Sequence, residues 1–389
     1  MSIYEIGLLG DVTDADRDTL IATVTKLIAD FDLEIGREVM IRSGGSFDER
    51  DGHAATAVAY FGGAAQVDQT LARRAVTASL PLIPTIPADG DDFSALVPAF
   101  LQGANGIRRR PDDPEMLELT VGLLECLGLL RRQRRVFISY RRVESRNAAV
   151  QLHDLLSGRG FDVFLDTHDI RPAEPFQDVL WHRLCDSDVM VMLDTPTYFE
   201  SKWTRQELGR ARAKEIHVLR IVWPDHTPTK QTDFAETIYL DRAELSGGDG
   251  PIVDEVADQI VLAIENLRSR SIASRYMSIT GKLRAEVEKI GGEVGGIGAH
   301  RAISLRLPDD TRLWAYPIVG IPTADLLNDV VDKAHRADQC GMPILVYDHI
   351  GIRDQWMAHL KWLDENISAV RAIRVAEAAW ALAAWEGRA

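Results

Sequence analysis

Apolar and polar positions alternate along the chain in two ways, as short apolar runs and as longer stretches with helical spacing. In the first third, apolar runs predict three strands, and amphipathic stretches predict three helices. The strands are expected at residues 3–9, 54–61 and 80–86, and the helices at 14–30, 66–78 and 113–132. Because alternating strands and helices indicate βαβ units, residues 1–132 are predicted to form an N-terminal α/β domain with a parallel sheet.

The same alternation continues in the middle of the chain and predicts a second α/β domain over residues 133–270. Its strands are expected at residues 136–140, 162–166, 188–193 and 218–223, and its helices at 147–159 and from Pro251 to about 270. A weak internal repeat relates the two blocks, because the segment around residues 59–62 parallels the one around 197–200. Gln69 then falls near the position of Glu207, so the blocks are expected to share a layout but differ in their polar residues.

The pattern changes in the last block, residues 271–389, which is predicted to be an α+β domain of unassigned role. Its elements are expected to be a helix at 275–290, a hairpin at 302–307 and 312–319, a helix at 324–338, a strand at 343–347 and helical segments at 356–385. This order resembles the core of PD-(D/E)xK nucleases, and Asp309 and Asp310 could bind a metal. The acidic-x-Lys motif expected on the next strand is absent, so a structural or sensing role is favoured.

Composition limits the classes of function. A formal net charge of −15 repels phosphate and argues against a general nucleic-acid binder. The basic cluster at residues 131–135 is interpreted as a solvated entry to a strand in preference to an anion-binding patch. The three cysteines lack metal-ligand spacing, and no apolar run is long enough to span a bilayer. We therefore expect a cytoplasmic protein with buried free thiols and no membrane partner.

Polar residues follow several predicted strands of the middle block. They are Ser139, Tyr140, Arg141 and Arg142 after the first strand, Asp166 after the second, and Ser201, Trp203 and Glu207 beyond the third. Ligands of open parallel sheets bind outside the carboxyl ends of the strands, so these residues are expected to surround one crevice. Trp203 and Glu207 are one helical turn apart and share a face. The alternative for Glu207 is an exposed side chain paired with Arg210.

In this order and with these spacings, residues 135–268 resemble a TIR (Toll/interleukin-1 receptor) domain of the bacterial, NAD-cleaving type. The resemblance implies a flavodoxin-like parallel sheet and a catalytic glutamate at Glu207 in a Ser-x-Trp context. It implies substrate-binding roles for Ser139, Tyr140, Arg141, Arg142, Asp166, Ser201 and Trp203. Solvated charge remains the alternative for the two arginines, and capping of the following loop remains the alternative for Asp166. That loop is similar to the family's at residues 170–172, although Ala173 replaces the usual glycine.

The resemblance also implies a function. Such proteins cleave the nicotinamide–ribose bond of NAD+ as glycohydrolases or cyclases, act in bacterial antiphage immunity, and are activated by self-association through the TIR domain. NAD+ is then a substrate, no cofactor is needed, and the flanking blocks would sense a nucleotide or a phage-derived activator. Two alternatives remain open. The first is a non-catalytic TIR adaptor, which needs no carboxylate at position 207, and the second is a nucleoside or nucleotide transferase-like enzyme.

Overall fold

The structure is a computed structural model that describes residues 2–87, 93–130, 134–165, 176–337, 339 and 341–385. It contains three five-stranded sheets. The chain divides into two compact units, and each is described separately. The flanking unit comprises Met1–Leu129, Ala273–His349 and Asp354–Ala389, whereas the central unit comprises Leu130–Ile272 and Ile350–Arg353.

The first sheet of the flanking unit is fully parallel. Its strands are β1 (Tyr4–Gly10), β2 (Val39–Ser43), β3 (Ala55–Phe61), β4 (Leu82–Pro87) and β5 (Ile107–Arg109), and its helices are α1 (Asp14–Ile28), α2 (Gln69–Thr77), α3 (Phe93–Leu96) and α4 (Leu117–Cys126). The strand order is β2-β1-β3-β4-β5. The predicted parallel α/β fold is confirmed. The sequence pattern missed β2 and β5, because one is mostly half-buried and the other has three residues.

The central unit has a second parallel sheet with helices on both faces. Its strands are β6 (Arg135–Ser139), β7 (Asp162–Leu165), β8 (Val189–Asp194), β9 (His217–Val222) and β10 (Glu236–Tyr239). They lie in the order β10-β9-β8-β6-β7, which confirms the predicted flavodoxin-like sheet. Helix α5 (Arg142–Gly158) and the first part of α8 (Asp254–Lys289) cover one face, and α6 (Phe176–Asp186) and α7 (Lys202–Ala213) cover the other.

Helix α8 corrects one expectation. A helix ending near residue 270 and another beginning at 275 were expected, but the structure has one continuous helix of 36 residues. Ser269 and Ser271 lie near the expected break, and both are fully buried. Small hydroxyl side chains fit in a buried helix without ending it, and apolar residues continue at helical spacing beyond them.

The third sheet, in the flanking unit, is mixed. Its strands are β11 (Glu293–Ile297), β12 (Ile303–Arg306), β13 (Arg312–Pro317), β14 (Pro343–Tyr347) and β15 (Arg371–Arg374), and its helices after α8 are α9 (Ala324–Arg336), α10 (Asp354–Asn366) and α11 (Ala378–Ala383). The pairs β11–β12 and β12–β13 are antiparallel, whereas β13–β14 and β14–β15 are parallel. The predicted α+β class is confirmed. Strand β15 had been expected to be helical.

A buried ionic cluster joins the first and third sheets within the flanking unit. Glu125 on α4 is 5% exposed; its carboxylate accepts from His300 Nδ1 at 2.7 Å and from Lys333 Nζ at 2.5 Å. Lys333 Nζ also lies 2.5 Å from Asp329 Oδ2. Burial by itself would raise the pKa of Glu125, but the His300 hydrogen bond and the Lys333 charge lower it to about 2. The two flanking blocks, separate in sequence, therefore share one buried charge cluster.

Two arginines of the basic cluster, Arg134 and Arg135, bind acidic partners in the central unit. Arg134 is fully buried and donates to Glu265, which also accepts from Arg268 at 3.0 Å. Arg135 binds Asp186 at 2.6 Å and Asp188 at 3.3 Å. The interpretation of this cluster as solvated charge is therefore wrong for Arg134 and Arg135. They fasten the amino ends of β6 and β8, opposite the edge where ligands of such sheets bind.

The described part of the chain contains neither a possible membrane span nor a possible metal cluster. None of its helices is both long enough and apolar enough to cross a membrane. Within the same residues, no cluster of three or more histidine, cysteine or acidic side chains has an arrangement that could hold a metal ion.

Candidate functional site

The candidate site is built at the carboxyl ends of two neighbouring strands of the central sheet. Ser139 is the last residue of β6, and β8 pairs with β6 and leads through a short loop to α7. Glu207 lies on the second turn of α7 and is 6% exposed, while Ser139 is 2% exposed. The Ser139 hydroxyl donates a hydrogen bond to Glu207 Oε2. The strand order therefore brings together two residues that are far apart in the sequence.

Tyr198 adds a third member to this arrangement. Its hydroxyl lies 2.6 Å from Ser139 Oγ. Ser139 has one hydroxyl hydrogen, which it donates to Glu207, so Tyr198 is the donor in the bond between the two hydroxyls. Burial, followed by the nearby Glu207 charge, holds the pKa of Tyr198 well above its usual value and keeps the phenol protonated. Two hydroxyls in series thus orient the Glu207 carboxylate.

The loop between β8 and α7 is held by the first turn of α5. Arg141 Nη1 donates to the Thr197 carbonyl, and Arg141 Nη2 lies 3.3 Å from Glu200 Oε2. The Glu144 carboxylate accepts from the Thr197 amide at 3.2 Å. Burial by itself would raise the pKa of Glu144, but hydrogen bonds from Thr195 and Thr197 lower it, so this acceptor stays ionised at neutral pH. Arg141 and Glu144, which carry opposite charges, therefore bind the backbone carbonyl and the backbone amide of Thr197.

Asp194 and His226 form a second titratable pair in the same sheet. Asp194 ends β8 and is fully buried, and its Oδ1 lies 3.2 Å from His226 Nε2. Burial raises the pKa of Asp194, and the nearby His226 opposes the shift. Oδ2 of Asp194 has no hydrogen-bond partner among the described residues. No pattern in the sequence identified His226 as the partner of Asp194.

The remaining predicted residues lie at different places around this edge. Tyr140 is buried in the apolar core beside α5, whereas Arg142 is exposed at the first position of that helix. Ser201 is half-buried directly before α7, and its carbonyl accepts from Thr204 Oγ1 at 3.1 Å. Trp203 lies in α7, but its side chain is outside the described residues. Asp166 and the loop at 166–175 are also outside them.

The alternative interpretation of Glu207, as an exposed side chain paired with Arg210, is wrong. Glu207 is buried against Ser139, and the Arg210 guanidinium lies 3.8 Å from the centroid of the Trp181 ring. Phe164 is a packing group, and its ring stacks on that of Phe137 with the centroids 5.3 Å apart. The site thus combines one buried carboxylate with oriented hydroxyls, an arrangement that can stabilise a nearby positive charge.

The comparison with protein families agrees with the central fold. A family model described as TIR domain matches residues 136–260. No curated protein sequence matches the chain. Among solved structures, a two-component response regulator/GGDEF domain protein matches at 14% identity and a TM-score of 0.24, covering 68% of this chain and 99% of that one. Tagatose-6-phosphate ketose/aldose isomerase from Escherichia coli matches at 12% identity and a TM-score of 0.19, covering 70% and 82%.

The solved structures are too dissimilar to support an argument about this protein. The family match, by contrast, falls on the sheet whose strand order and site were described above. The chain therefore contains a TIR domain at its centre, over residues 136–260.

Proposed function

We propose that the TIR domain cleaves the bond between nicotinamide and ribose in NAD+, with Glu207 as its catalytic residue. The observation that carries the proposal is the buried Glu207 carboxylate, fixed by Ser139 at the carboxyl edge of a parallel sheet. An adaptor would not need a carboxylate in this environment, because burying one is costly unless hydrogen bonds compensate. Buried acids at such an edge are typical of functional sites.

The chemistry needs little beyond an oriented negative charge. As the glycosidic bond breaks, its electron pair moves to the positively charged pyridinium nitrogen, so nicotinamide leaves as a neutral molecule without a proton donor. Positive charge then develops on the ribose, and a fixed carboxylate next to it stabilises this oxocarbenium-like state. Water, or an atom of the same molecule, attacks the ribose carbon. Attack by water gives ADP-ribose after loss of a proton, and attack by an atom of the same molecule gives a cyclic product.

The wider role rests on the resemblance of the TIR domain to bacterial NAD-cleaving relatives. We place the protein in antiphage immunity in the cytoplasm, with activity switched on when TIR domains associate or when the flanking unit binds a nucleotide or phage-derived activator. Unregulated loss of NAD+ would harm the cell, so basal activity should be low. NAD+ acts here as substrate, and the proposal includes no cofactor.

Nicotinamide release tests the proposal directly. Concentrated full-length protein is incubated with NAD+, with and without a crowding agent, beside the variant Glu207→Gln. Glutamine keeps the size of the side chain and an acceptor for Ser139, but it removes the charge. Wild type should release nicotinamide, and the variant should lose at least about 100-fold in kcat, as expected for loss of one preorganised charge.

Glu215→Gln is the matched control, because Glu215 is exposed just beyond α7 and the charge change is the same. It should retain wild-type activity. Equal release by wild type and Glu207→Gln would remove Glu207 from the mechanism. If no condition of concentration or crowding gives release, while the protein still self-associates, the adaptor function replaces the enzyme.

A further inference from the structure

The loop of residues 195–201, between β8 and α7, sets the position of Glu207. We propose that Arg141 and Glu144 are positioning residues that hold this loop through Thr197, and that Arg141 does not bind a substrate phosphate. The proposal rests on the proposed NAD+ cleavage and extends it, because it assigns to the start of α5 a role in orienting the catalytic carboxylate.

Arg141 and Glu144 both bind the backbone of Thr197. Arg141 donates to its carbonyl and Glu144 accepts from its amide at 3.2 Å, so both backbone polar groups of Thr197 are held. The second guanidinium nitrogen of Arg141 lies 3.3 Å from Glu200, further along the same loop. Hydrogen bonds that involve a charged partner are about twice as strong as neutral ones. The three contacts therefore fix the loop near its middle and its end.

The turn that supplies these contacts departs from the rest of α5. The backbone of Ser145 is non-helical, with φ −148° and ψ 24°, so the turn carrying Arg141 and Glu144 is separated from the helix that follows. Ser145 is fully buried, and its hydroxyl donates to the Arg141 carbonyl at 3.3 Å. Because of this local break, the turn does not continue the axis of α5, and the side chains of Arg141 and Glu144 both reach the loop.

Hydrogen bonds connect the segment around Thr197 with Glu207. Tyr198, the next residue, bonds through its hydroxyl to Ser139, which in turn donates to Glu207. The Tyr198 carbonyl accepts from Thr204 Oγ1 at 2.7 Å, and Thr204 lies on α7 one turn before Glu207. A shift of Thr197 would therefore reach the carboxylate by two routes, through the hydroxyls and through the start of α7.

The alternative role of Arg141, contact with a substrate phosphate, makes different demands. Its two terminal nitrogens already face the Thr197 carbonyl and the Glu200 carboxylate. A phosphate would have to displace these partners, one of which carries negative charge. We therefore assign Arg141 to the scaffold of the site, where loss of the side chain lowers the rate of the chemical step without weakening substrate binding.

Steady-state kinetics of full-length variants separate the two roles. For a positioning residue, Arg141→Gln should lower kcat by about 10- to 100-fold, since small misplacements of a reacting group have effects of this size. KM should change by no more than about twofold, because substrate binding is not touched. Arg141→Lys should remain impaired, since lysine lacks the fork that binds two acceptors. Arg146→Gln, an exposed arginine on the same helix, is the matched control and should behave as wild type.

A phosphate contact predicts the opposite pattern, in which KM rises, kcat persists, and lysine restores most of the affinity. That result would overturn the proposal. The double variant Arg141→Gln/Glu144→Gln gives an independent reading. Because both residues act on Thr197, the loss in kcat should be smaller than the product of the two single losses. Losses that multiply fully would show that the two residues do not act as a unit.

Hydrogen exchange tests the loop without requiring activity. The amides of residues 195–201 should exchange faster in Arg141→Gln and in Glu144→Gln than in wild type, with no change in Arg146→Gln or in the rest of α5. Unchanged exchange would refute the proposed contacts. If exchange rises but wild type never releases nicotinamide, the contacts stand, and the proposed function, on which their catalytic role depends, fails.

Discussion

The N-terminal sheet and the TIR sheet have the same strand order, but they place their buried carboxylates differently. In local numbering both sheets run 2-1-3-4-5. In the TIR domain, Glu207 and Asp194 are buried at the carboxyl edge, where ligands of such sheets bind. In the N-terminal domain, Glu125 is buried on α4 and binds His300 and Lys333, which follow β11 and β13 in the chain. The same topology therefore places its buried carboxylates at the ligand-binding edge in one case and at a contact within the flanking unit in the other.

The carboxyl edges themselves differ at the end of the first strand. In the TIR domain, the Ser139 side chain donates a hydrogen bond to Glu207 on α7. In the N-terminal domain, β1 ends at Gly10, whose amide donates to Asp68 Oδ2 at 3.1 Å. Gly10 has a φ of +86°, and a Cβ there would lie 2.2 Å from the Phe61 carbonyl, so no side chain fits. A backbone contact thus replaces the hydroxyl that the TIR site uses.

Removing Glu125 should have the largest effect on stability. Glu125→Ala leaves the half-buried His300 and Lys333 without their shared partner, which should cost about 3–5 kcal/mol in the free energy of unfolding of the flanking unit. Chemical denaturation followed by a probe in that unit measures the change. Glu118→Ala, an exposed residue on the same helix, is the control and should cost little. A similarly small cost for Glu125→Ala would mean that this carboxylate does not hold the two sheets together.

Acidification should weaken the same cluster. The pKa of Glu125 is lowered from 4.5 to about 2 in the folded protein. Its contribution to stability is therefore complete above pH 4.5 and is lost as the pH falls towards 2. The contribution amounts to roughly 3 kcal/mol. The difference in unfolding free energy between wild type and Glu125→Gln should shrink by more than half from about pH 5.5 to about pH 3. A constant difference would contradict the ionic role.

Removing the Ser139 hydroxyl sharpens the contrast at the carboxyl edges. Ser139→Ala deletes the donor to Glu207 and leaves the Tyr198 hydroxyl without its acceptor. A buried hydrogen bond to a charged group contributes about 1.5–3 kcal/mol, so kcat should fall by about 10- to 100-fold. Steady-state nicotinamide release measures it, with thermal unfolding as a check that the TIR domain stays folded. Unchanged kcat would show that Glu207 needs no orienting hydroxyl.

The sequence predicted more of the fold than of the contacts within the site. Long apolar runs such as 188–193 predicted strands correctly, because burial on both faces leaves few alternatives. Short edge strands such as β5 and β15 lacked that signal. For the site, Glu207 and Ser139 were identified through motif spacing, but their hydrogen bond depends on the strand order. Other contacts join residues that are distant in the sequence, and no local pattern predicts such pairs. Examples are the contacts of Arg141 and Glu144 with Thr197 and the pairing of Glu125 with His300.

The smallest effect is expected from Asp68→Asn, which tests whether the two carboxyl edges really differ in role. Asparagine keeps an oxygen for the Gly10 amide but loses the charge, so the flanking unit should lose about 0.5–1.5 kcal/mol of stability. Nicotinamide release under identical conditions of concentration and crowding should match wild type, because none of the described residues at the N-terminal edge corresponds to Glu207 in burial and contact. A loss of activity as large as that of Ser139→Ala would break the comparison, since it would give the N-terminal edge a direct part in NAD+ cleavage.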